Sequence, residues 1–235
     1  MIAYVPARGG SRRIPRKSVV DVGGLPMIVR VLANLTRISH LRGIGISTDD
    51  EQIASIVEAH HDCYGPVEYT FLDPRDAELA SDTASFMDLV DHDVDRYVQY
   101  YNDTDILFVL PTAVMVESKY YQYGIETYSL ERAGLIISVV RNEQSPFLSF
   151  VIDPSGGLVP LYPDCFVKPT ADLPIAFSDC GCFYIFNIDE MRGRSKFLDL
   201  QPIRAVELPT NVGVDVDTPD DLEKIRVNIQ ALTKG

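Results

Sequence analysis

The chain has 235 residues, 46% of them hydrophobic, and a formal charge of −13 at pH 7. That length and composition suit one substantial core, while the acidic balance excludes a general nucleic-acid binder, which needs a broad basic surface. No apolar stretch approaches the ~18 residues of a membrane-spanning helix and no signal-like segment precedes the first apolar run, so no membrane partner and a cytoplasmic location are expected.

Taken in chain order, apolar runs predict strands at 2–5, 44–48, 67–72, 105–110, 135–140, 182–187 and 203–207. Helical spacing at 27–36 and 51–59 predicts the first two crossovers, with Asp49 or Asp50 placed to cap the second. Between 84 and 101, Phe86, Leu89, Val90, Val94, Tyr97, Val98 and Tyr101 recur at helical spacing, which reads as an amphipathic crossover helix with its aromatics in the core. The alternation of strand and helix predicts an α/β fold with a mostly parallel sheet. From about 141 to 180, Pro146, Pro154, Pro160, Pro163, Pro169 and Pro174 exclude a long helix, and short β-prone pieces at 147–152 and 158–162 predict a β-rich excursion. No linker separates it, so residues 1–235 are read as a single domain.

Cys63, Cys165, Cys180 and Cys182 lack zinc spacing and are expected to be reduced thiols. His40, His60, His61 and His92 meet no partner motif and are read as surface residues.

The first predicted strand breaks at Pro6 into Ala7-Arg8-Gly9-Gly10-Ser11-Arg12, with Ile14-Pro15-Arg16-Lys17 close behind. Arg8, Arg12, Arg13, Arg16 and Lys17 concentrate cations in an acidic chain, and no acidic residue occurs before Asp21. A glycine turn after a buried strand lets backbone N–H groups at Ala7, Gly9, Gly10 and Ser11 approach an anion, while Arg8, Arg12 and Lys17 neutralise it. The plain alternative is a solvated basic loop. Neither the Walker pattern nor G-x-G-x-x-G is present here, so a different nucleotide geometry is implied.

At the other end, Val212-Gly213-Val214-Asp215-Val216-Asp217 alternates as a strand, which would put Asp215 and Asp217 on one face. Adjacent carboxylates repel unless one keeps a proton or cations match them, and Mg²⁺ or Mn²⁺ held with triphosphate oxygens is one such match. Helix capping is the structural alternative: Thr218 as N-cap, Pro219 in the first position, Asp220 and Asp221 in the first turn. In Ala77-Glu78-Leu79-Ala80-Ser81-Asp82-Thr83-Ala84-Ser85, any of Ser81, Asp82 or Thr83 can cap the following helix. The strands at 44–48 and 105–110 deliver Ser47-Thr48-Asp49-Asp50 and Pro111-Thr112 to the sheet's carboxyl edge, where ligands of open α/β sheets sit. Gly181, within Asp179-Cys180-Gly181-Cys182-Phe183-Tyr184, fits either close approach of a sugar or a strand bulge.

The 5–12 loop with 14–17 resembles the signature loop of the sugar nucleotidyltransferases that make CMP-activated nonulosonic acids, and Arg13-Ile14-Pro15-Arg16-Lys17 is similar to the pseudaminic acid branch. The 215–222 wording D-x-D-T-P-x-D-L resembles that family's C-terminal metal motif, the 77–85 segment matches it closely, and D-x-G-x-F-Y at 179–184 again looks like the pseudaminic branch. Departures are Leu110 in place of Gln, Ser18 in place of Asn, Arg75 after rather than before Pro74, and no basic residue after Pro146-Phe147-Leu148. The resemblance implies a Rossmann-like nucleotidyltransferase fold and an enzyme joining CTP to an acidic keto sugar, with release of pyrophosphate. It implies Arg8, Arg12, Lys17 and Asp217 in catalysis, Asp215 and Asp217 on Mg²⁺ or Mn²⁺, and Arg75 and Ser81 on the nucleotide. It further implies a homodimer built through the β-rich excursion. A Kdo-type cytidylyltransferase and a catalytically silent nucleotide-sugar binding protein are the rival readings.

Overall fold

The computed structural model describes residues 1–39, 41–64, 69–71, 74–81 and 83–233; His40, Asp73 and Asp82 lie outside them. The elements in order are β1 (Ile2–Pro6), the β2–β3 hairpin (Asp21–Val22, Leu25–Pro26), α1 (Met27–Leu35), β4 (Gly43–Ser47), α2 (Glu51–Ala59) and β5 (Tyr69–Phe71). Then come α3 (Phe86–Leu89), a π turn (Val90–Val94), α4 (Asp95–Tyr101), β6 (Asp105–Val109), α5 (Ser118–Glu131) and β7 (Leu135–Arg141). The β8–β9 hairpin (Phe150–Ile152, Leu158–Pro160), β10 (Phe177–Asn187), α6 (Ile188–Met191), β11 (Ile203–Leu208) and α7 (Pro219–Thr233) complete the chain.

Seven strands form one sheet in the order β11-β7-β10-β6-β1-β4-β5. Among the described residues only β10 runs antiparallel within it, pairing Phe183 with Val109 on one side and Tyr184 with Ile137 on the other. The expected mixed α/β fold with a mostly parallel sheet is what the chain forms. Alternation along the central strand divides the core. Ala3 and Val5 pack in a cluster with Ile28, Val31 and Leu32 of α1, whereas Ile2 and Tyr4 face Val90, Val94 and Tyr97 on the opposite side. Each fully buried aliphatic side chain in these layers contributes about 1.5–3 kcal/mol. Among the described residues no helix is long and apolar enough to cross a membrane.

Three local departures from the sequence reading have clear causes. The helix expected over 84–101 starts at Ser85, which accepts from Asp88 N–H at 3.2 Å while Asp88 accepts from Ser85 N–H at 2.7 Å, a reciprocal cap that neither Ser81 nor Thr83 makes. Its middle widens into the π turn that carries Asp93 into the interior. Residues 212–217 are not a strand: the chain turns at Pro209, whose carbonyl accepts from Val212 and Gly213 N–H, then lies unpaired against Val140 and Cys180.

The 141–180 excursion leaves β7 and returns as β10, its sheet neighbour. The β8–β9 hairpin pairs only with itself, closed by Asp153, whose carboxylate accepts from the N–H groups of Ser155 and Gly157 at 2.8 Å. Ile152 and Leu158 are 73% and 66% exposed.

Candidate active site

The loops following β1, β6 and β11 meet at the sheet's carboxyl edge around a cleft of about 420 Å³. The loop after β1 is shaped by the tip of β4. Ala7 N–H donates to the Ser47 carbonyl at 2.8 Å, and Gly9 N–H donates to Asp49 Oδ1 at 2.9 Å. A Cβ on Gly9 would stand 2.6 Å from Asp50 Oδ2 and 2.7 Å from Asp50 Cβ, so glycine is what lets the loop lie against β4's end. Arg16 takes a left-handed conformation, φ 48°, and its Nε donates to Asp50 Oδ2 at 3.1 Å. The chain then enters a short 3-10 turn, Lys17–Val19.

This path turns Arg8, Arg12, Arg13 and Lys17 into the cleft with Gly10, Ser11 and Ser18 and directs Arg16 to Asp50 instead. Arg8 is steadied from behind, where its Nη1 donates to the Ser81 carbonyl at 2.7 Å. Across the cleft stand Asp215 and Asp217. Lys17 Nζ lies 2.9 Å from Asp217 Oδ1 and Arg13 Nη2 lies 3.1 Å from Asp217 Oδ2, joining the two ends of the chain.

The two carboxylates are driven apart in acidity. The hydrogen bond from Lys17, then the charges of Lys17 and Arg13, hold Asp217 below the usual carboxylate range. Desolvation first, and the neighbouring Asp217 second, raise Asp215, against the opposing pull of Lys17 and a hydrogen bond from Thr112. Thr218 and Asp221 close the segment as a capping box: Asp221 N–H donates to Thr218 Oγ1 at 3.2 Å and Asp221 Oδ2 accepts from Thr218 N–H at 3.0 Å. Capping therefore accounts for Thr218 and Asp221 and leaves Asp215 and Asp217 to the cleft.

A strand–loop phosphate cradle facing paired carboxylates is the arrangement the sequence resemblance implies, and a family model described as Cytidylyltransferase matches residues 2–145. The chain belongs to the cytidylyltransferase family. Over nearly its whole length it is similar to the pseudaminic acid cytidylyltransferase of Campylobacter jejuni, with 25% identity over 229 residues, 96% of this chain and 94% of that protein. It is also similar to the CMP-N,N'-diacetyllegionaminic acid synthase of Legionella pneumophila, with 26% identity covering 94% of this chain and 92% of that one. In fold it matches CMP:2-keto-3-deoxy-manno-octonic acid synthetase complexed with CTP, at a TM-score of 0.69 and 17% identity over 98% of both chains.

In this cytidylyltransferase a second cavity, about 400 Å³, adjoins the cleft and shares Asp215 with it. Its wall is the bulge in β10, where Gly181 adopts φ 64° and the register to β7 shifts between Asp179 and Tyr184. Asp179 holds the bulge, accepting from Gly181 N–H at 2.8 Å and from the Tyr184 hydroxyl at 2.9 Å. Of the two readings offered for Gly181, the structure shows the strand bulge, which forms a wall of the cavity.

Of the residues singled out by sequence, Arg8, Gly10, Ser11, Arg12, Lys17, Asp215 and Asp217 line the cleft. Ala7 and Gly9 serve as anchors of the loop on Ser47 and Asp49, and they do not line it. Arg75 and Ser81, expected on the nucleotide, do not line this cleft. Arg75 is 5% exposed with its guanidinium on Ser47, and Ser81 offers its carbonyl to Arg8 and its hydroxyl to Thr83. Asp217 finds its charge partners far away in sequence, in Lys17 and Arg13, 200 and 204 positions before it. Sequence reading gave Arg13 and Thr112 no individual role. Arg13 stood in the same cation cluster, and Thr112 in the segment delivered to the sheet edge, but neither signal named Asp217 or Asp215 as its contact.

Proposed function

We propose that this cytidylyltransferase activates a nine-carbon keto acid sugar of the pseudaminic or a related bacterial type, working with Mg²⁺ or Mn²⁺ as a cytoplasmic homodimer. The observation that carries the reading is the convergence, on Asp215, of a cationic glycine loop and a separate cavity floored by the β10 bulge. The CTP triphosphate would lie along Arg8, Arg12 and Lys17, with the backbone of Gly10 and Ser11 close to its oxygens. The sugar would occupy the cavity beside Asp179 and Tyr184, bringing its anomeric hydroxyl in line with the α-phosphorus. Attack forms the sugar–phosphate bond as the bond to the β-phosphate breaks, the hydroxyl proton passing to solvent water as pyrophosphate leaves.

Asp215 and Asp217 fit a hard divalent cation, because such an ion takes one or two carboxylates and fills its shell with phosphate oxygens and water. Bound there, it would supply charge neutralisation of the triphosphate. Lys17 and Arg13 would then exchange Asp217 for phosphate oxygens, so the ion pairs hold these side chains near their working positions. Leu110 lines the cleft without an amide, and no basic side chain follows Leu148, features that suit an acceptor other than N-acetylneuraminate. The names of the two full-length relatives point the same way. The exposed apolar β8–β9 hairpin supports a second copy as partner, and four free thiols suit a reducing compartment.

Pyrophosphate release measured with CTP, Mg²⁺ and a panel of keto acid sugars tests the assignment. A higher kcat/KM for pseudaminic-type sugars is expected; a clear preference for N-acetylneuraminate or Kdo overturns the acceptor, and no turnover with any of them overturns the activity. Light scattering at micromolar concentration should give a dimer mass, and a monomer overturns the oligomeric reading.

A further inference from the structure

Ser47, Arg75 and Asp93 form a buried polar unit beneath the phosphate loop, at 2%, 5% and 1% exposure. Asp93 sits in the π turn and accepts from the hydroxyls of Tyr4 and Ser47 and from Arg96 Nη1 at 3.0 Å, with Arg75 Nε at 3.9 Å. Arg75 Nε donates to Ser47 Oγ at 2.8 Å, its Nη2 to the Ser47 carbonyl at 2.5 Å, and its backbone N–H to the Thr48 carbonyl at 2.9 Å. A buried ion pair is poor value for stability alone, since well-packed apolar residues of the same volume often do as well or better. What this unit supplies is geometry.

Its bonds to Ser47 and to the Thr48 carbonyl converge on the end of β4, and Ser47, with Asp49 and Asp50 just beyond it, grips the loop at three points. The Ser47 carbonyl takes Ala7 N–H, the Asp49 carboxylate takes Gly9 N–H, and the Asp50 carboxylate takes Arg16. Tyr4, one of the donors to Asp93, lies in β1 itself, three residues before the loop; its hydroxyl is kept protonated by burial first and by Asp93 second. The β4 tip is thus fixed from below by Asp93 and Arg75 and fixes, from the side, the backbone that presents Arg8, Arg12 and Lys17.

We propose that Asp93, Arg75 and Ser47 are positioning residues for nucleotide binding: a clamp that holds the cationic loop in the shape that takes the triphosphate. The proposal rests on reading that loop as the CTP site. It gives Arg75 a part in CTP recognition without contact, which reconciles its burial with its place beside the 77–85 segment.

The test is CTP affinity by calorimetry, with KM and kcat for both substrates, well below the melting temperature of each variant. Ser47→Ala removes the bridging hydroxyl and keeps the backbone bond to Ala7; Arg75→Lys keeps the charge and loses the forked contact to Ser47. Each should weaken CTP binding about threefold to tenfold, the worth of one or two buried hydrogen bonds, with the sugar KM unchanged. Ser47→Thr, which restores a hydroxyl, should recover CTP affinity. A structural role alone would lower the melting temperature and leave CTP affinity where it was, and that result in both variants overturns the clamp. Arg12→Ala, measured alongside, separates the two claims: weakened CTP binding there with unchanged Ser47→Ala and Arg75→Lys refutes only the clamp, whereas unchanged binding in all three refutes the loop as the CTP site.

Discussion

Asp217→Asn separates chemistry from stability at one position. The change keeps the shape of the side chain and removes the charge that Lys17 and Arg13 face at 2.9 and 3.1 Å. Both pairs are partly open to solvent, with Arg13 62% and Asp217 42% exposed. Pairs of that exposure contribute about 0–1 kcal/mol each, so the two together contribute at most about 2 kcal/mol and the melting temperature of a chain this long should fall by no more than about 8 °C. The cap of α7 is untouched, because Thr218 and Asp221 supply it. Turnover should respond far more strongly: loss of one carboxylate from the proposed divalent-cation site, with Lys17 and Arg13 left unmatched beside it, is expected to cost at least about 100-fold in kcat, the scale seen when one preorganised charge contact to a transition state is removed. The assay is pyrophosphate release at saturating CTP over a Mg²⁺ titration, paired with thermal denaturation of the same samples. Near wild-type kcat at ordinary Mg²⁺ would refute the reasoning, as would a loss of activity matched by an equal loss of folded protein.

Asp215 is raised by burial and by Asp217, so the ionised form that the proposed cation site needs is gained as pH climbs through a value above the ordinary 3.8. Lys17→Met removes a group that opposes this rise, and the acid limb of kcat/KM against pH should move to higher pH; an unmoved limb argues that Asp215 does not control it. Asp221 is held down to about 2, chiefly by Thr218, so its stabilising charge is present above the ordinary value of 3.8 and lost as pH falls toward about 2. Asp221→Asn should cost about 1 kcal/mol or less at pH 7, with the gap to wild type closing near pH 2 in chemical denaturation; a gap that persists in acid would contradict the assignment. Gly9→Ala forces a Cβ to within 2.7 Å of Asp50 Cβ, so CTP affinity should drop as the loop shifts, and unchanged affinity by calorimetry would show that loop shape is not limiting.

Much of this architecture was legible because burial leaves a local record. The strands read at 2–5, 44–48, 105–110, 135–140 and 203–207 recur as β1, β4, β6, β7 and β11 within a residue or so at each end, since period-two or continuous apolar runs reflect which faces a strand must bury. The cation cluster at 8–17 was equally plain in an acidic chain. Asp215 and Asp217 were found for a reason the fold did not keep: their alternation suggested a strand, whereas an unpaired segment lying over the sheet edge points both into the cleft. What lay beyond the sequence is everything that depends on strand order. Lys17 and Asp217 are 200 positions apart and touch only because β1 is an interior strand beside β6 and the 215–217 loop crosses the sheet's carboxyl edge. Arg75 looked like a surface ligand contact, and only the packing of the π turn, which carries Asp93 beneath Ser47, turned its guanidinium inward. Local pattern determines which residues are strand, helix or charged loop; which loops meet, and which charge finds which partner, is decided by tertiary topology, because electrostatic and hydrogen-bond partners are chosen in space and not along the chain.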